Sequence, residues 1–98
     1  MGEHQGGWVY IMADRYRGTM YVGVTAFIAA RAFQHRSATG AEFCRQYGLT
    51  RLVWAEWSGS ILDCIAHEKR LKRWRREWKY VLIERGNPNW EDLFDRLA

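Results

Sequence analysis

The chain has 98 residues, enough for one domain with a single hydrophobic core. Hydrophobic residues make up 48% of it and six residues are tryptophan, a composition that excludes a disordered polar chain. The formal net charge of +4 is that of a basic protein, for which a polyanion is a natural partner.

Cysteine usage and hydropathy exclude further classes of protein. Cys44 and Cys64 are the only cysteines and form no CxxC motif, so we expect neither a disulfide framework nor a zinc site. No apolar run approaches the roughly 18 residues that a membrane-spanning helix needs. Residues 1–7 lack the apolar core of a secretory signal and the pattern of a myristoylation signal. We therefore expect a cytoplasmic protein without membrane contact.

The N-terminal part of the chain predicts a tail followed by a β-hairpin. Residues 1–7 are polar and glycine-rich, which indicates a flexible tail ahead of one domain over residues 8–98. Two short β-type runs follow over residues 8–13 and 19–24, and a polar connection ending in Gly18 joins them.

Two tyrosines distinguish this hairpin. Side chains alternate along a strand, so Tyr10 and Tyr21 fall on one face of the paired strands. We expect both phenols to emerge together from that face. The opposite face forms the core and carries Val9, Ile11, Val22 and Val24.

A helix is expected next, over residues 26–37. Thr25 is a plausible N-cap, because its hydroxyl can accept a hydrogen bond from an amide two or three residues later. The alanine-rich sequence favours helix and directs Phe27, Ala30 and Ala32 toward packing surfaces. A short helical turn over residues 42–47 should follow.

An apolar strand and an amphipathic helix make up the next part of the chain. Gly48 stops the preceding turn, and the continuous apolar run within residues 51–57 predicts a strand that is covered on both faces. From residue 61 the hydrophobic period becomes helical and predicts a helix over residues 61–73. Its apolar stripe consists of Ile61, Cys64, Ile65 and Leu71.

Two further helices complete the predicted domain. One spans residues 75–85, turns Trp78, Val81 and Leu82 inward and ends at Gly86. A last short helix carries an apolar stripe of Trp90, Leu93, Phe94 and Leu97. The order β-β-α-β-α-α predicts an α+β fold, with a three-stranded antiparallel sheet flanked by helices and a short C-terminal helix.

Arg31 and His35 are the first candidates for chemistry. They lie four residues apart, so they share one face of the first helix just after the second tyrosine strand. A guanidinium and a titratable imidazole near two phenols could handle a phosphate. The alternative is that both are ordinary exposed helix residues.

Glu68 is the next candidate for chemistry, because it falls inside the apolar stripe of the helix over residues 61–73. A buried, unpaired carboxylate is costly, so Glu68 must meet a cation, a donor network or a metal. A salt bridge to Lys72 or Arg75 is one solution. A hard divalent cation held by one carboxylate and waters is another, and magnesium favours that ligand set.

Basic residues cluster beside Glu68. Residues 67–79 contain seven Lys or Arg against two Glu, which indicates either a nucleic-acid surface or a solvated helix face. Gly23, where a backbone can approach closely, is a further candidate contact. The candidate nucleic-acid-binding side chains are Lys69, Arg70, Lys72, Arg73, Arg75 and Arg76.

These features resemble the GIY-YIG nuclease superfamily, most closely its small standalone bacterial members, over nearly the whole chain. In that superfamily two tyrosines from adjacent strands, here Tyr10 and Tyr21, line the active site. An arginine follows at about the spacing of Arg31. The usual glycine and isoleucine of the first signature are replaced by Trp8 and Val9.

The resemblance also assigns roles to three later residues. Some members have a histidine at the spacing of His35, and a glutamate equivalent to Glu68 binds one divalent cation. Small members tend to end in an Asn-Pro-x-Trp segment, which Asn87 begins here. Asn87 is therefore either a site residue or the cap of a helix that starts at Pro88.

The resemblance implies a metal-dependent endonuclease that uses one Mg²⁺ or Mn²⁺. It would cleave DNA with structure-selective or low sequence specificity, in repair or processing, and RNA remains open as a substrate. Arg31 and Tyr21 would bind phosphate, and either Tyr10 or His35 would be the general base. The alternatives are a catalytically weak nucleic-acid-binding module and a domain that binds a protein partner through exposed tryptophans.

Overall fold

The computed structural model describes residues 6–37 and 39–97 and confirms the α+β architecture. Three antiparallel strands form one sheet in the order β2-β1-β3. The elements are β1 (Gly7–Ala13), β2 (Met20–Thr25), α1 (Ile28–Arg36), α2 (Glu42–Tyr47), β3 (Arg51–Ser58), α3 (Ile61–Arg73) and α4 (Arg76–Glu84), followed by a 3₁₀ turn (Phe94–Arg96). The predicted tail lies outside the described residues over residues 1–5, and Gly7 already belongs to β1.

Both faces of the sheet are covered, which separates the core into two clusters. One face packs Val9, Ile11 and Val22 against Cys64 and Leu71 of α3. The other face buries Tyr10 and Met12. Helices α1 and α2 cover that second face through Ile28, Ala32 and Cys44.

The hairpin register places the two tyrosines on the same face, as the alternation predicts. Tyr10 lies opposite Gly23, and Met12 lies opposite Tyr21, so the tyrosines are diagonal neighbours across the β1–β2 pair. Both phenols therefore lie on one side of the hairpin, as predicted. That side is not open to solvent at Tyr10, which is only 1% exposed because α1 and α2 pack over this face.

Helix α1 begins two residues later than the sequence predicts. Thr25 remains in β2, and its Oγ1 accepts a hydrogen bond from the Phe27 amide at 3.0 Å, so it caps the turn that precedes the helix. Phe27 is 74% exposed, which overturns its predicted packing role, and Ala30 is exposed as well. Ala32 is buried as predicted.

Strand β3 is covered only along its first half. Leu52 and Val53 are buried, whereas Glu56 and Trp57 are exposed. The prediction of cover on both faces is therefore wrong for the second half. The unbroken apolar run marks the part of β3 that lies under the helices.

Helix α3 has the predicted bounds, and Ser60 caps it by accepting a hydrogen bond from the Asp63 amide at 3.3 Å. Cys64 and Leu71 are buried as predicted. Ile65 is 37% exposed, so it lies at the edge of the apolar stripe. No helix in the described part of the chain is long and apolar enough to cross a membrane.

Helix α4 turns a different face inward from the one predicted. Ile83 is fully buried, and Leu82 packs partly against the same cluster. Trp78 and Val81 are exposed, in contrast to their predicted inward position. At about 100° per residue these two residues fall on the side of the helix opposite Ile83.

The C-terminal segment forms a 3₁₀ turn in place of the predicted short helix. Trp90 is fully buried in the first cluster, and its Nε1 donates to Glu84 at 2.7 Å. Leu93, Phe94 and Leu97 pack against the second cluster. The segment therefore contacts both cores, as its apolar stripe predicts.

Candidate active site

A hydrogen bond between Tyr10 and His35 lies at the centre of the site. The Tyr10 hydroxyl and His35 Nε2 are 3.0 Å apart, and both residues are at most 2% exposed. Strand β1 positions the phenol, and the last turn of α1 positions the imidazole. His35 Nδ1 is buried and finds no hydrogen-bond partner within residues 6–37 and 39–97.

Two glycines make room for this pair. A Cβ atom on Gly23 would lie 2.5 Å from the hydroxyl of Tyr10, directly across the hairpin. A Cβ atom on Gly40 would lie 2.5 Å from His35 Nδ1. Gly23 is buried. The absence of a side chain at Gly23 therefore leaves room for Tyr10, and the contact of Gly23 with nucleic acid stays a prediction.

Burial moves the pKa values of the two partners in opposite directions. It raises the pKa of Tyr10 to about 12, with the nearby Tyr21 contributing in the same direction. Burial and the positive charge of Arg31 lower the pKa of His35. Arg31 also acts on Tyr10, whose pKa it lowers against the larger effect of burial. At neutral pH the pair is therefore a phenol beside an uncharged imidazole.

Tyr21 forms the next part of the site. Its ring centroid lies 6.4 Å from that of Tyr10 and 5.9 Å from that of His35. Tyr21 is half-buried, so it lies closer to solvent than Tyr10 does. The phenols and the imidazole thus form one aromatic cluster, and the charge of Arg31 lowers the pKa values of its two buried members, Tyr10 and His35.

Glu68 reaches this cluster through Lys72. Lys72 Nζ lies 2.7 Å from Glu68 Oε2 and 5.9 Å from the centroid of the Tyr21 ring. The Glu68 side chain is 17% exposed, and the Lys72 side chain is 50% exposed. The salt bridge to Lys72 is one of the two partners that the sequence suggested for this carboxylate.

The same residues lie within a match to a known family. A family model described as the GIY-YIG catalytic domain matches residues 6–81, about three quarters of the chain. The chain belongs to the GIY-YIG family. GIY-YIG domains are nuclease domains, so membership implies a nucleic-acid substrate, and nucleases of this family generally depend on a divalent metal.

Two curated relatives resemble this GIY-YIG chain over most of their length. UPF0213 protein plu4503 of Photorhabdus laumondii is 29% identical over 83 residues, which cover 85% of this chain and 78% of the relative. UPF0213 protein PC1_0597 of Pectobacterium carotovorum is 28% identical over 82 residues, which cover 84% and 82%. No solved structure matches the chain significantly. Neither relative's name states an activity.

Asn87 is placed apart from the aromatic cluster of this GIY-YIG domain. Its Nδ2 donates to the carbonyls of Val53 at 3.1 Å and Glu91 at 2.9 Å, and its Oδ1 accepts from the Glu91 amide at 3.0 Å. Val53 belongs to β3, whereas Tyr21 belongs to β2 at the other edge of the sheet. No helix starts at Pro88, so Asn87 is not a helix cap. The side-chain amide of Asn87 instead joins the loop after α4 to β3.

The predicted basic side chains are exposed along α3 and at the start of α4. Lys72 pairs with Glu68, and Arg76 donates to the Gly18 carbonyl and to the Tyr80 hydroxyl. Arg75 lies over the ring of Trp78. Within residues 6–37 and 39–97, Lys69, Arg70, Arg73 and Arg75 form no hydrogen bond or salt bridge through their side chains, which leaves their charges available to a polyanion.

Phe43 and Tyr47 extend the aromatic cluster of the site and were not predicted from the sequence. Phe43 of α2 stacks on Tyr21, with centroids 6.1 Å apart and planes tilted by 29°, and Tyr47 packs on Phe43 at 4.9 Å. The spacing of four residues on a helical turn was the available signal, because it places both rings on one face. Their position against Tyr21 depends on tertiary packing.

Proposed function

We propose that this protein is a DNA endonuclease that hydrolyses phosphodiester bonds with one divalent cation, Mg²⁺ or Mn²⁺. The observation that carries the proposal is the 3.0 Å hydrogen bond between Tyr10 and His35. Tyr21 lies in the same aromatic cluster, and Lys72, which pairs with Glu68, lies 5.9 Å from the centroid of the Tyr21 ring. A buried phenol and an uncharged imidazole in contact form a proton-transfer unit. Cations beside that unit suit a phosphate group.

In this proposal Tyr10 and His35 act as one general base. The pKa of Tyr10 near 12 leaves very little phenolate at neutral pH, so the phenol needs a proton acceptor. His35 Nε2 is in contact with the hydroxyl, and the lowered pKa of His35 keeps the imidazole available to accept a proton. The attacking water gives its proton to Tyr10 as Tyr10 gives its own to His35.

Arg31 and Tyr21 bind the oxygens of the scissile phosphate. The Arg31 guanidinium is close enough to influence the pKa values of both Tyr10 and His35. A guanidinium offers several N–H donors in one plane, which matches the geometry of phosphate oxygens. Tyr21 adds a hydroxyl donor at the less buried side of the cluster.

Glu68 is the residue that would hold the metal. Its carboxylate pairs with the Lys72 ammonium at 2.7 Å, and a divalent cation would take the place of that ammonium. The described residues contain no group of three or more His, Cys, Asp or Glu arranged for a metal, so one protein ligand must be completed by water and substrate oxygens. That ligand set suits Mg²⁺. When bound, the cation supplies positive charge for the leaving oxygen.

The exposed basic side chains beside Glu68 favour a nucleic acid as the substrate. Lys69, Arg70, Arg73 and Arg75 present positive charge that can follow a phosphate backbone whatever its sequence. Contacts to the phosphate backbone carry no sequence information. Specificity would therefore come from the shape of the DNA, as expected for an enzyme of DNA repair or processing in the cytoplasm.

Cleavage assays test this proposal. Labelled nicked, flapped and single-stranded DNA are incubated with the protein and Mg²⁺, and products are separated on denaturing gels. We expect cleavage of at least one substrate, loss of that activity in Glu68→Ala, and retention in Glu77→Ala, which removes an exposed carboxylate from α4. Absence of cleavage on every substrate, or full activity in Glu68→Ala, contradicts the proposal.

A catalytically weak binding module is the second candidate, favoured by the exposed basic side chains of α3. Its affinity for duplex DNA would fall with salt at a slope of about 0.9 per phosphate contact. Arg31→Ala would then leave affinity nearly unchanged, and no cleavage would occur with Mg²⁺. Cleavage that is lost in Arg31→Ala rejects this candidate.

A further inference from the structure

The rings of Tyr21, Phe43 and Tyr47 form a ladder that leads outward from the site. Tyr21 lies within the cluster of Tyr10 and His35, Phe43 stacks on Tyr21 at 6.1 Å, and Tyr47 packs on Phe43 at 4.9 Å. Exposure rises along the ladder. Phe43 is 40% exposed and Tyr47 is 52% exposed, so the outer rings meet solvent.

The fold does not require these two rings for its core. Helix α2 is anchored by Cys44, which is 2% exposed, and by Leu49, which follows the helix and is fully buried. Phe43 and Tyr47 lie on another side of the same short helix, one turn apart. Phe43 stacks on the site residue Tyr21, Tyr47 packs on Phe43, and both outer rings are about half exposed. Together they indicate a surface that receives a flat apolar group.

The charges around the ladder indicate where the base and the phosphate of a nucleotide would bind. Glu42 and Arg45, the two charged residues of α2, form an ion pair with each other. The charges that α2 itself carries beside the outer rings therefore balance each other. Lys72 lies at the inner end, 5.9 Å from the centroid of the Tyr21 ring. A nucleotide would place its phosphate at the inner end and its base on the outer rings.

We propose that Phe43 and Tyr47 form a base-stacking subsite for an unpaired nucleotide next to the scissile phosphate. Every base has a π-face, so such a platform binds without sequence preference. The faces of bases within a duplex are covered by their neighbours, whereas a flap or a single strand can present them. The inference rests on the proposed nuclease function and assigns its substrate as DNA with unpaired nucleotides at the cleavage position.

Binding without cleavage tests the subsite. Fluorescence anisotropy is measured with a labelled single-stranded oligothymidine and with a blunt duplex of equal length, both in EDTA. Loss of one stacked ring should weaken single-strand binding by about 5-fold to about 150-fold. We expect that loss in Phe43→Leu and in Tyr47→Leu, with duplex binding nearly unchanged.

Three control variants separate stacking from folding. Tyr47→Phe keeps the ring and should bind as the unmodified protein does. Phe27→Leu removes an exposed aromatic ring that precedes α1 and should also bind normally. Phe43→Trp should retain single-strand binding, whereas a merely structural role for Phe43 would make this larger side chain as harmful as leucine. Urea unfolding of each variant shows which of them are folded.

The outcomes distinguish this inference from the proposed function. Selective loss of single-strand binding in the folded Tyr47→Leu variant supports the subsite, even if the protein cleaves nothing. Unchanged single-strand affinity in both leucine variants overturns it, as do equal losses on single strand and duplex. Cleavage of flapped DNA at the normal rate by both leucine variants also overturns it while leaving the nuclease proposal intact.

Discussion

The Tyr10–His35 pair makes stability depend on pH in a defined direction. The folded state lowers the pKa of His35 below its ordinary value of about 6.5, so it disfavours the charged imidazole. Above that value His35 is neutral in both the folded and the unfolded state. As the pH falls below it, the unfolded state takes up the proton first, and the free energy of unfolding decreases.

We therefore expect the unmodified protein to lose stability from pH 7.5 to pH 5.5, measured by urea unfolding at each pH. His35→Gln cannot titrate and should lose less stability over the same range. His67→Gln removes the histidine that packs against Trp54 and should keep the full loss. A pH dependence in His35→Gln identical to that of the unmodified protein would show that His35 is not the group responsible.

Gly23 gives a second test at the level of one residue. A methyl group there would lie 2.5 Å from the Tyr10 ring and hydroxyl, so Gly23→Ala must displace the phenol from His35. We expect a loss of about 1–3 kcal/mol in the free energy of unfolding, as in other overpacked cores, together with a loss of cleavage.

Gly86→Ala is the matched control for this test, because a Cβ atom at Gly86 meets no atom of the described residues within 4 Å. It should change stability by no more than about 0.5 kcal/mol. Urea unfolding and cleavage rates measured on both variants check the prediction. Normal stability and normal cleavage in Gly23→Ala would mean that the close approach to Tyr10 has no role.

At the level of elements, Asn87 joins the loop after α4 to β3. Its side chain makes three hydrogen bonds to the backbone of Val53 and Glu91 and is 5% exposed. Removing it leaves the buried carbonyl of Val53 without this donor, whereas the Glu91 groups lie closer to solvent. Asn87→Ala should therefore lower the free energy of unfolding by about 1–3 kcal/mol.

The control is Asn89→Ala, which removes an exposed asparagine two residues away and should change stability little. Cleavage by Asn87→Ala should remain measurable at temperatures where the variant is folded. Loss of cleavage without loss of stability would instead support the catalytic role that the family resemblance suggested for Asn87.

The bounds of a helix could be predicted from the sequence wherever a capping residue and the hydrophobic period indicated the same helix. Ser60 and the apolar stripe fix α3 over Ile61–Arg73, as predicted. The inward face of α4 could not be predicted in the same way, because Trp78, Val81 and Leu82 are as hydrophobic as Ile83. Which of them is buried depends on how α4 meets the first core cluster.

At the scale of the whole molecule, the order of elements and the antiparallel sheet could be predicted because alternation, turn residues and helical periods all indicated the same fold. The candidate residues Tyr10, Tyr21, Arg31 and His35 could be found from strand and helix spacing. Burial of Tyr10 could not be found, since it results from α1 and α2 packing over the sheet. The contact between Lys72 and Tyr21 likewise depends on how α3 packs against β2.

The most direct measurement is the cleavage rate of Tyr10→Phe on the DNA substrate that the unmodified protein cleaves best. This change keeps the ring and removes the hydroxyl that contacts His35. Tyr16→Phe, which alters an exposed tyrosine, is its matched control. Near-ultraviolet circular dichroism and urea unfolding establish that both variants are folded.

The account predicts that folded Tyr10→Phe cleaves about 10²-fold to about 10⁴-fold more slowly, which is the usual range for loss of a general base, and that Tyr16→Phe keeps the full rate. Cleavage by Tyr10→Phe at the rate of the unmodified protein would contradict the assignment of the Tyr10–His35 pair as the proton-transfer unit.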